Sequence, residues 1–74
     1  MVEIGKNYTG TGYAFKGTIT PLELNPETEV LRVKLTYLGN TWEETWNLTD
    51  FNYGLDSEQY RELGPDEQNP YETA

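Results

Sequence analysis

Apolar and polar residues alternate along two stretches of the chain, and a period of two is the pattern of a half-buried β-strand. In residues 13–20, Tyr13, Phe15 and Ile19 fall on one face. Residues 29–38 alternate more regularly and predict the clearest strand of the chain. Its apolar face consists of Leu31, Val33, Leu35 and Tyr37, and its polar face of Arg32, Lys34 and Thr36.

Gly39 and Asn40 follow this strand and predict a two-residue hairpin loop, because a glycine in the first position is typical of a type II′ turn. Residues 41–48 would then return as the next strand. A slip of one residue would move both tryptophans to the polar face, so the side that each residue occupies is strongly specified. The predicted loop pairs Tyr37 with Trp42, Leu35 with Glu44, Val33 with Trp46, and Leu31 with Leu48.

A proline interrupts the first alternating stretch. Pro21 shifts the apolar positions by one residue, and a one-residue bulge near this proline would return Leu22 and Leu24 to the face of Ile19. Residues 25–28, Asn-Pro-Glu-Thr, predict a type I turn, because Asn is favoured at its first position and Pro at its second. The turn connects this strand to the next one.

The alternation ends at Leu48. Residues 49–54 have the composition of a turn that carries two aromatic rings. Residues 56–63 predict a short helix with Asp56 as its N-cap. A strand over residues 59–63 is the alternative.

These elements predict a mainly β fold in one small domain, residues 1–63, with a further short strand around residues 6–9. The apolar face of an antiparallel sheet must be covered. We therefore expect either a curled sheet with a short C-terminal helix or 3-10 turn, or a small SH3-like or OB-like barrel. Residues 64–74 combine two prolines with three acidic residues and predict a flexible, disordered acidic tail.

The composition excludes several kinds of chemistry. The 74 residues include no histidine and no cysteine, so Ser-His catalysis, disulfides and thiolate metal sites are ruled out. Asp50 to Asp56 resembles a calcium loop only loosely, because its glycine is fifth rather than sixth and Arg61 stands where a glutamate is needed. A pair such as Glu58 and Glu62 could do acid–base chemistry only in an enclosing cleft, which we do not expect in a chain of 74 residues. We expect no enzyme activity, no cofactor and no metal.

The charge is distributed unevenly. The net charge is −8, and residues 1–37 contribute none of it. A negative field repels phosphate groups, which predicts no direct binding of nucleic acid and none of an anionic membrane. The first residues lack the features of a signal peptide, so we expect a cytoplasmic protein. Against the single base Arg61, residues 38–74 carry Glu43, Glu44, Asp50, Asp56, Glu58, Glu62, Asp66, Glu67 and Glu72.

This asymmetry predicts a small acidic module that binds a basic partner surface by protein–protein interaction. A sharper version is an inhibitor from a phage or mobile element that acts as a nucleic-acid mimic. The alternatives are an accessory or structural subunit of a larger assembly and, disfavoured above, a small enzyme. The candidate partner-binding residues are Glu43, Asp50, Tyr53, Asp56, Glu58 and Glu62.

A second candidate site lies on the third predicted strand. Glu44 stands between two tryptophans on the apolar face, where a buried carboxylate would be costly unless paired. The functional interpretation is an aromatic cage for a cationic group, formed by Trp42, Glu44 and Trp46. The structural interpretation is that both tryptophans belong to the core and Glu44 lies at the rim of the sheet.

Overall fold

The computed structural model describes residues 1–73 and contains five β-strands, one α-helix and one 3-10 turn. All strand pairs are antiparallel, as predicted for a mainly β chain. The elements in chain order are β1 (Tyr8–Gly10), β2 (Thr18–Asn25), β3 (Val30–Tyr37), β4 (Asn40–Asn47), α1 (Leu48–Asp56), β5 (Tyr60–Glu62) and the 3-10 turn (Pro70–Glu72).

The strands form a single open sheet in the order β4-β3-β2-β1-β5. The predicted SH3-like or OB-like barrel is wrong, because β4 and β5 lie at opposite edges and do not pair. The apolar face is covered by α1 and by Val2 of the N-terminal segment instead. Val2 is held there by a hydrogen bond from its backbone N–H to the side-chain oxygen of Asn52 in α1 (2.9 Å).

The β3–β4 hairpin is confirmed, but its turn lies one residue earlier than predicted. Leu38 and Gly39 form the loop, with φ angles of 48° and 81°, and two positive φ angles define a type I′ turn. The register therefore moves by two residues relative to the prediction, and a shift of two keeps every side chain on its predicted face. The observed pairs include Leu31 with Trp46, Val33 with Glu44, and Leu35 with Trp42.

The C-terminal segment explains why this turn is stable with a leucine in it. The backbone N–H groups of Leu38 and Gly39 donate to the carbonyls of Tyr71 (2.7 Å) and Glu72 (2.6 Å). The Tyr71 ring also stacks on Tyr37, with 6.5 Å between ring centroids and 8° between planes. A Gly39–Asn40 loop would not present these two amides to the same carbonyls.

Replacing Leu38 with asparagine should stabilise the protein by about 1 kcal/mol, because asparagine tolerates the left-handed backbone that costs leucine about 1–2 kcal/mol. The Leu38 side chain is 43% exposed, so little packing is lost. In thermal denaturation the variant should melt about 4–8 °C higher. Leu38→Ala is the control, because alanine shortens the side chain but retains the backbone cost. Equal melting temperatures for the two variants would contradict the prediction.

Strand β2 begins later than the pattern suggested. Residues 13–16 lie in a loop, and pairing with β3 starts at Thr18. The bulge is confirmed, one residue beyond Pro21: Pro21 pairs with Val33 and Glu23 with Arg32, which leaves Leu22 as the extra residue. Because of the bulge, Leu24 pairs with Leu31 and returns to the face of Ile19, as predicted, whereas Leu22 is itself the extra residue and has no partner in β3.

The predicted helix over residues 56–63 is wrong, and the alternative strand is correct. The helix precedes this segment, beginning after Asn47, whose side-chain oxygen accepts from the N–H of Asp50 (2.9 Å) as an N-cap. Gly54 in the helix made residues 49–54 look like a turn. A Cβ at Gly54 would lie 2.5 Å from the Tyr60 ring, so this glycine lets β5 approach the helix closely.

The structure does not show a disordered tail in the residues that it describes. Asn69 is buried and its side-chain amide donates to the Thr18 hydroxyl (3.1 Å) and the Lys16 carbonyl (3.0 Å). A buried, hydrogen-bonded amide fixes the segment although its composition is polar. Ala74, the last residue of the predicted tail, lies outside the described residues.

The core lies between the sheet and α1. Its centre is Phe51, which is 2% exposed and contacts three aromatic rings. The ring centroid of Phe51 is 4.9 Å from that of Tyr60, 5.5 Å from that of Tyr8, and 5.8 Å from that of Trp46. The buried apolar residues are Val2, Tyr8, Ile19, Leu31, Val33, Leu35, Phe51 and Leu63.

Candidate functional site

The structure distributes the predicted site residues over four places. Trp42, Glu44 and Trp46 lie together on the edge strand β4. Asp50 and Tyr53 line a cleft at the start of α1. A second cleft, at the end of the helix, is lined by Asp56, Glu58 and Glu62, whereas Glu43 lies on the polar face of the sheet.

The carboxylate of Glu44 connects the two tryptophans. The indole N–H of Trp42 donates to one oxygen (2.8 Å), and the indole N–H of Trp46 donates to the other (2.9 Å). Glu44 itself is exposed at the edge of the sheet, which is the rim position considered above. The carboxylate thereby fixes the orientation of both indoles.

The rings of the two indoles pack against other aromatic residues, whereas their N–H groups bind Glu44. Trp42 is 37% exposed and meets Phe15 edge to face, with ring centroids 6.0 Å apart. Trp46 is half-buried and packs against Phe51 and Tyr60. In both residues the N–H edge, rather than the ring face, points at Glu44. A bound cation would therefore meet the carboxylate directly.

The two indole donors, Trp46 first and Trp42 second, hold the pKa of Glu44 below its usual value. These bonds favour the ionised carboxylate, so the stability that they contribute is fully present above the unfolded pKa of about 4.3. That stability is lost as the pH falls through the lower pKa of the folded protein.

In an NMR titration the two indole N–H resonances should shift together, with a midpoint below the ordinary glutamate value of about 4.3. Glu44→Gln should abolish this common titration, because the amide stays neutral. Glu43→Gln is the matched control, since Glu43 lies on the opposite face and bonds Arg32 (2.6 Å). If the indole resonances titrate separately, or still titrate in Glu44→Gln, the shared carboxylate is contradicted.

The smaller cleft has a volume of about 400 Å³ and lies between the start of α1 and the turn that precedes β5. Trp46, Tyr53 and Tyr60 contribute aromatic surface, and Asp50 contributes a carboxylate. Tyr53 is 71% exposed although it lies on a helix that covers the core. An exposed aromatic ring beside a carboxylate suits the recognition of a cationic side chain.

The larger cleft, of about 720 Å³, lies between the N-terminal segment, the end of α1 and β5. Glu3 joins the three predicted acids here, and pairs with Lys6 at 2.8 Å. Lys6 also pairs with Glu62 (2.9 Å), and the two carboxylates, Glu3 first, raise its pKa. Asp56 and Glu58 form no ion pair with any residue that the structure describes.

Two of the predicted partner-binding residues are thus already engaged within the protein. Glu62 forms an ion pair with Lys6, and Glu43 forms one with Arg32, although each of these bases also pairs with a second glutamate. Asp50 forms no ion pair with a described residue. The carboxylates of the predicted surface without an ion pair to a described residue are therefore Asp50, Asp56 and Glu58, all on or next to α1.

Sequence reasoning missed Tyr60 as a site residue. It was placed in a helix, whereas in β5 its ring lines both clefts and contacts Phe51. The signal that could have placed it is Gly54, a residue disfavoured in helix interiors unless another group approaches closely.

The part of the chain that the structure describes holds no cluster of three or more potential metal ligands. No helix among these residues is long and apolar enough to cross a membrane. No protein-family model, no curated protein and no solved structure matches the chain.

Proposed function

We propose that this protein is a non-catalytic acidic module that binds a basic surface of a partner protein, with α1 and the turn after it as the contact surface. The observation that carries the proposal is the position of Asp50, Asp56 and Glu58. These carboxylates are exposed on one helix and its C-terminal turn, and none of them forms an ion pair with a base in the described part of the chain.

Tyr53 supports the same surface. It lies in the middle of α1, three residues from both Asp50 and Asp56, and is 71% exposed. Exposed tyrosines are enriched at protein interfaces, where the ring supplies contact area at a low cost in conformational entropy. Carboxylates around such an anchor would steer a cationic partner and raise its association rate.

The sharper form of the proposal is a nucleic-acid mimic that occupies the basic groove of a nucleic-acid-binding protein and inhibits it. A row of fixed carboxylates on a helix can replace phosphates that such a groove recognises. The concentration of the negative charge in residues 38–74 supports this form.

The test compares proteins captured from a native lysate by immobilised wild type and by Asp56→Lys/Glu58→Lys. Asp56 is the last residue of α1 and Glu58 lies in the turn that follows it, where a cation suits the helix dipole, so the fold should be retained. We expect the wild type to capture basic proteins that are released as salt rises, and the double variant to lose them. Mass spectrometry identifies the captured proteins.

The matched control is Glu27→Lys/Asp66→Lys, which changes the net charge equally at exposed sites away from α1. Capture that the control loses as fully as the helix variant would overturn the proposal, because total charge alone would then explain binding. Capture indifferent to salt would favour the accessory-subunit alternative. For the mimic form, the captured protein should bind duplex DNA or RNA in competition with the wild type.

A further inference from the structure

The outer edge of β4 is the longest unpaired edge of the sheet. β4 has eight residues and, within residues 1–73, pairs only with β3. Edge strands are usually shortened, bulged, covered or interrupted by proline, because an unpaired ladder recruits another strand. β4 contains no proline and no lysine, and its register with β3 is unbroken.

The direction of the β4 amides follows from the ladder. The N–H of Leu48 donates to the Glu29 carbonyl (2.8 Å), and hydrogen-bonded positions recur at every second residue of an antiparallel pair. The amides of Trp46, Glu44 and Trp42 therefore point toward β3. The residues whose N–H and C=O groups point to the free side are Thr41, Glu43 and Thr45.

The opposite edge of the same sheet is protected. β5 has only three residues. Its two charged side chains are tied to neighbouring segments, Arg61 to Glu67 and Glu62 to Lys6. The Arg61 guanidinium and the N–H of Gly64 lower the pKa of Glu67 to about 2, so this pair persists in mild acid. The β5 edge is thus short and flanked by ion pairs, whereas the β4 edge is long and unpaired.

The charge of β4 selects between possible occupants of the edge. Glu43 and Glu44 are its charged residues. A second copy added antiparallel would bring two pairs of carboxylates close together, and like charges on neighbouring strands are destabilising. A strand that carries lysine or arginine would instead gain opposite-charge pairs with the same residues.

We infer that an extended basic segment of a partner protein binds by adding a strand to the free edge of β4. Its backbone pairs with Thr41, Glu43 and Thr45, and its basic side chains lie beside Glu43 and Glu44. This inference rests on the proposed function for the sign of the partner's charge and adds the mode of binding.

The two faces of β4 define what the added strand presents. On one face the carboxylate of Glu44, beside the exposed ring of Trp42, accepts a lysine or arginine by ionic contact. On the other face Thr41, Glu43 and Thr45 form a polar row, where a second basic residue shares the carboxylate of Glu43 with Arg32. Because side chains alternate, the recognised segment carries basic residues on either face of an extended strand.

The probe is the eight-residue peptide Val-Lys-Lys-Val-Val-Lys-Lys-Val, which carries lysines on both faces of an extended strand. It is compared with the same peptide N-methylated on its four central amides. Methylation removes the donors on both edges of the strand and keeps the charge. We expect the unmodified peptide to bind and to slow hydrogen exchange at the amides of Thr41, Glu43 and Thr45. The methylated peptide should bind at least about tenfold more weakly, since several backbone hydrogen bonds are lost.

Thr45→Pro tests the same edge from the protein's side. The N–H of Thr45 points away from β3, so a proline at this position removes no hydrogen bond within the sheet. The proline does remove a donor that an added strand would need. Thr45→Val, which keeps the N–H, is the matched control. We expect at least about tenfold weaker peptide binding by the proline variant and less than about twofold change in the control.

Three outcomes separate the proposals. Equal binding of both peptides, lost in Asp56→Lys/Glu58→Lys, would overturn strand addition and leave the acidic helix surface as the binding site. Binding of neither peptide would overturn strand addition, whereas lysate capture by α1 would remain to test the proposed function. A dimer of the free protein with protected Thr41, Glu43 and Thr45 amides would show that the edge serves self-association, and would overturn the inference.

Discussion

Replacing Phe51 with alanine is expected to remove a large part of the protein's free energy of unfolding. The ring is 2% exposed and is the only core side chain that joins Tyr8, Trp46 and Tyr60 in the described structure. Phe-to-Ala changes in cores cost about 3–5 kcal/mol. A domain of this size has a total stability of about 4–11 kcal/mol, so the change removes a large part of it. Urea denaturation followed by tryptophan fluorescence measures the loss.

Tyr53→Ala is the control from the same helix. It removes an aromatic ring of similar size from a position that is 71% exposed, so the expected loss is below about 0.5 kcal/mol. The pair also separates stability from binding, because Tyr53→Ala should weaken capture of the basic partner while keeping the fold. A Phe51→Ala protein as stable as Tyr53→Ala would show that α1 does not anchor the core in the way described.

Replacing Asn69 with alanine is expected to cost about 2 kcal/mol and to release the C-terminal segment. The Asn69 side chain donates to Thr18 and Lys16 and accepts from the N–H of Tyr71 (3.0 Å). Deleting a buried hydrogen-bonding group loses its bonds and leaves its former partners unsatisfied, at about 1–3 kcal/mol. Denaturant unfolding gives the stability, and hydrogen exchange gives the local effect.

The local effect distinguishes this prediction from general destabilisation. The amides of Leu38 and Gly39 are bonded to the carbonyls of Tyr71 and Glu72, so they should lose protection in Asn69→Ala before the rest of β3 does. Gln68→Ala, at the exposed neighbouring position, should leave both amides protected. Unchanged exchange at Leu38 in Asn69→Ala would mean that the segment is held by other contacts.

Much of the sheet could be predicted because the alternation of apolar and polar residues is a property of each strand by itself. Alternation assigned the faces of β3 and β4 correctly, and the two-residue error in register left Trp42, Glu44 and Trp46 on their predicted side. The turn itself was misplaced because its stability depends on Tyr71 and Glu72, which come from the far end of the chain.

The position of the helix and the failure of the sheet to close into a barrel could not be predicted, because both depend on contacts between residues distant in the sequence. Gly54 was read as a turn residue, but tertiary packing against Tyr60 overrides its poor helix propensity. The barrel was one of two ways that we expected the apolar face of the sheet to be covered, and the other was a short helix. Alternation does not reveal that α1 and Val2 provide that cover.

The sequence indicated which residues belong to the candidate site, but it did not indicate which of them lie together in the fold. The acidic residues of α1 and the Trp–Glu–Trp row follow from composition and from strand parity. Lys6 forms an ion pair with Glu62 because β1 pairs with β5, and no pattern in either segment indicates that strand pairing. The open edge of β4 likewise becomes visible only when the strand order is known.

The strand order also has a consequence for the path of folding. β2, β3 and β4 are consecutive and pair through short turns, so their contacts form early at a small cost in loop entropy. β1 lies between β2 and β5, and its pairing with β5 joins opposite ends of the chain. We therefore expect the hairpin meander to be the folding nucleus and β5 to join after the transition state. Changes in β5 should then appear chiefly in the unfolding rate, and changes in β3 in the folding rate.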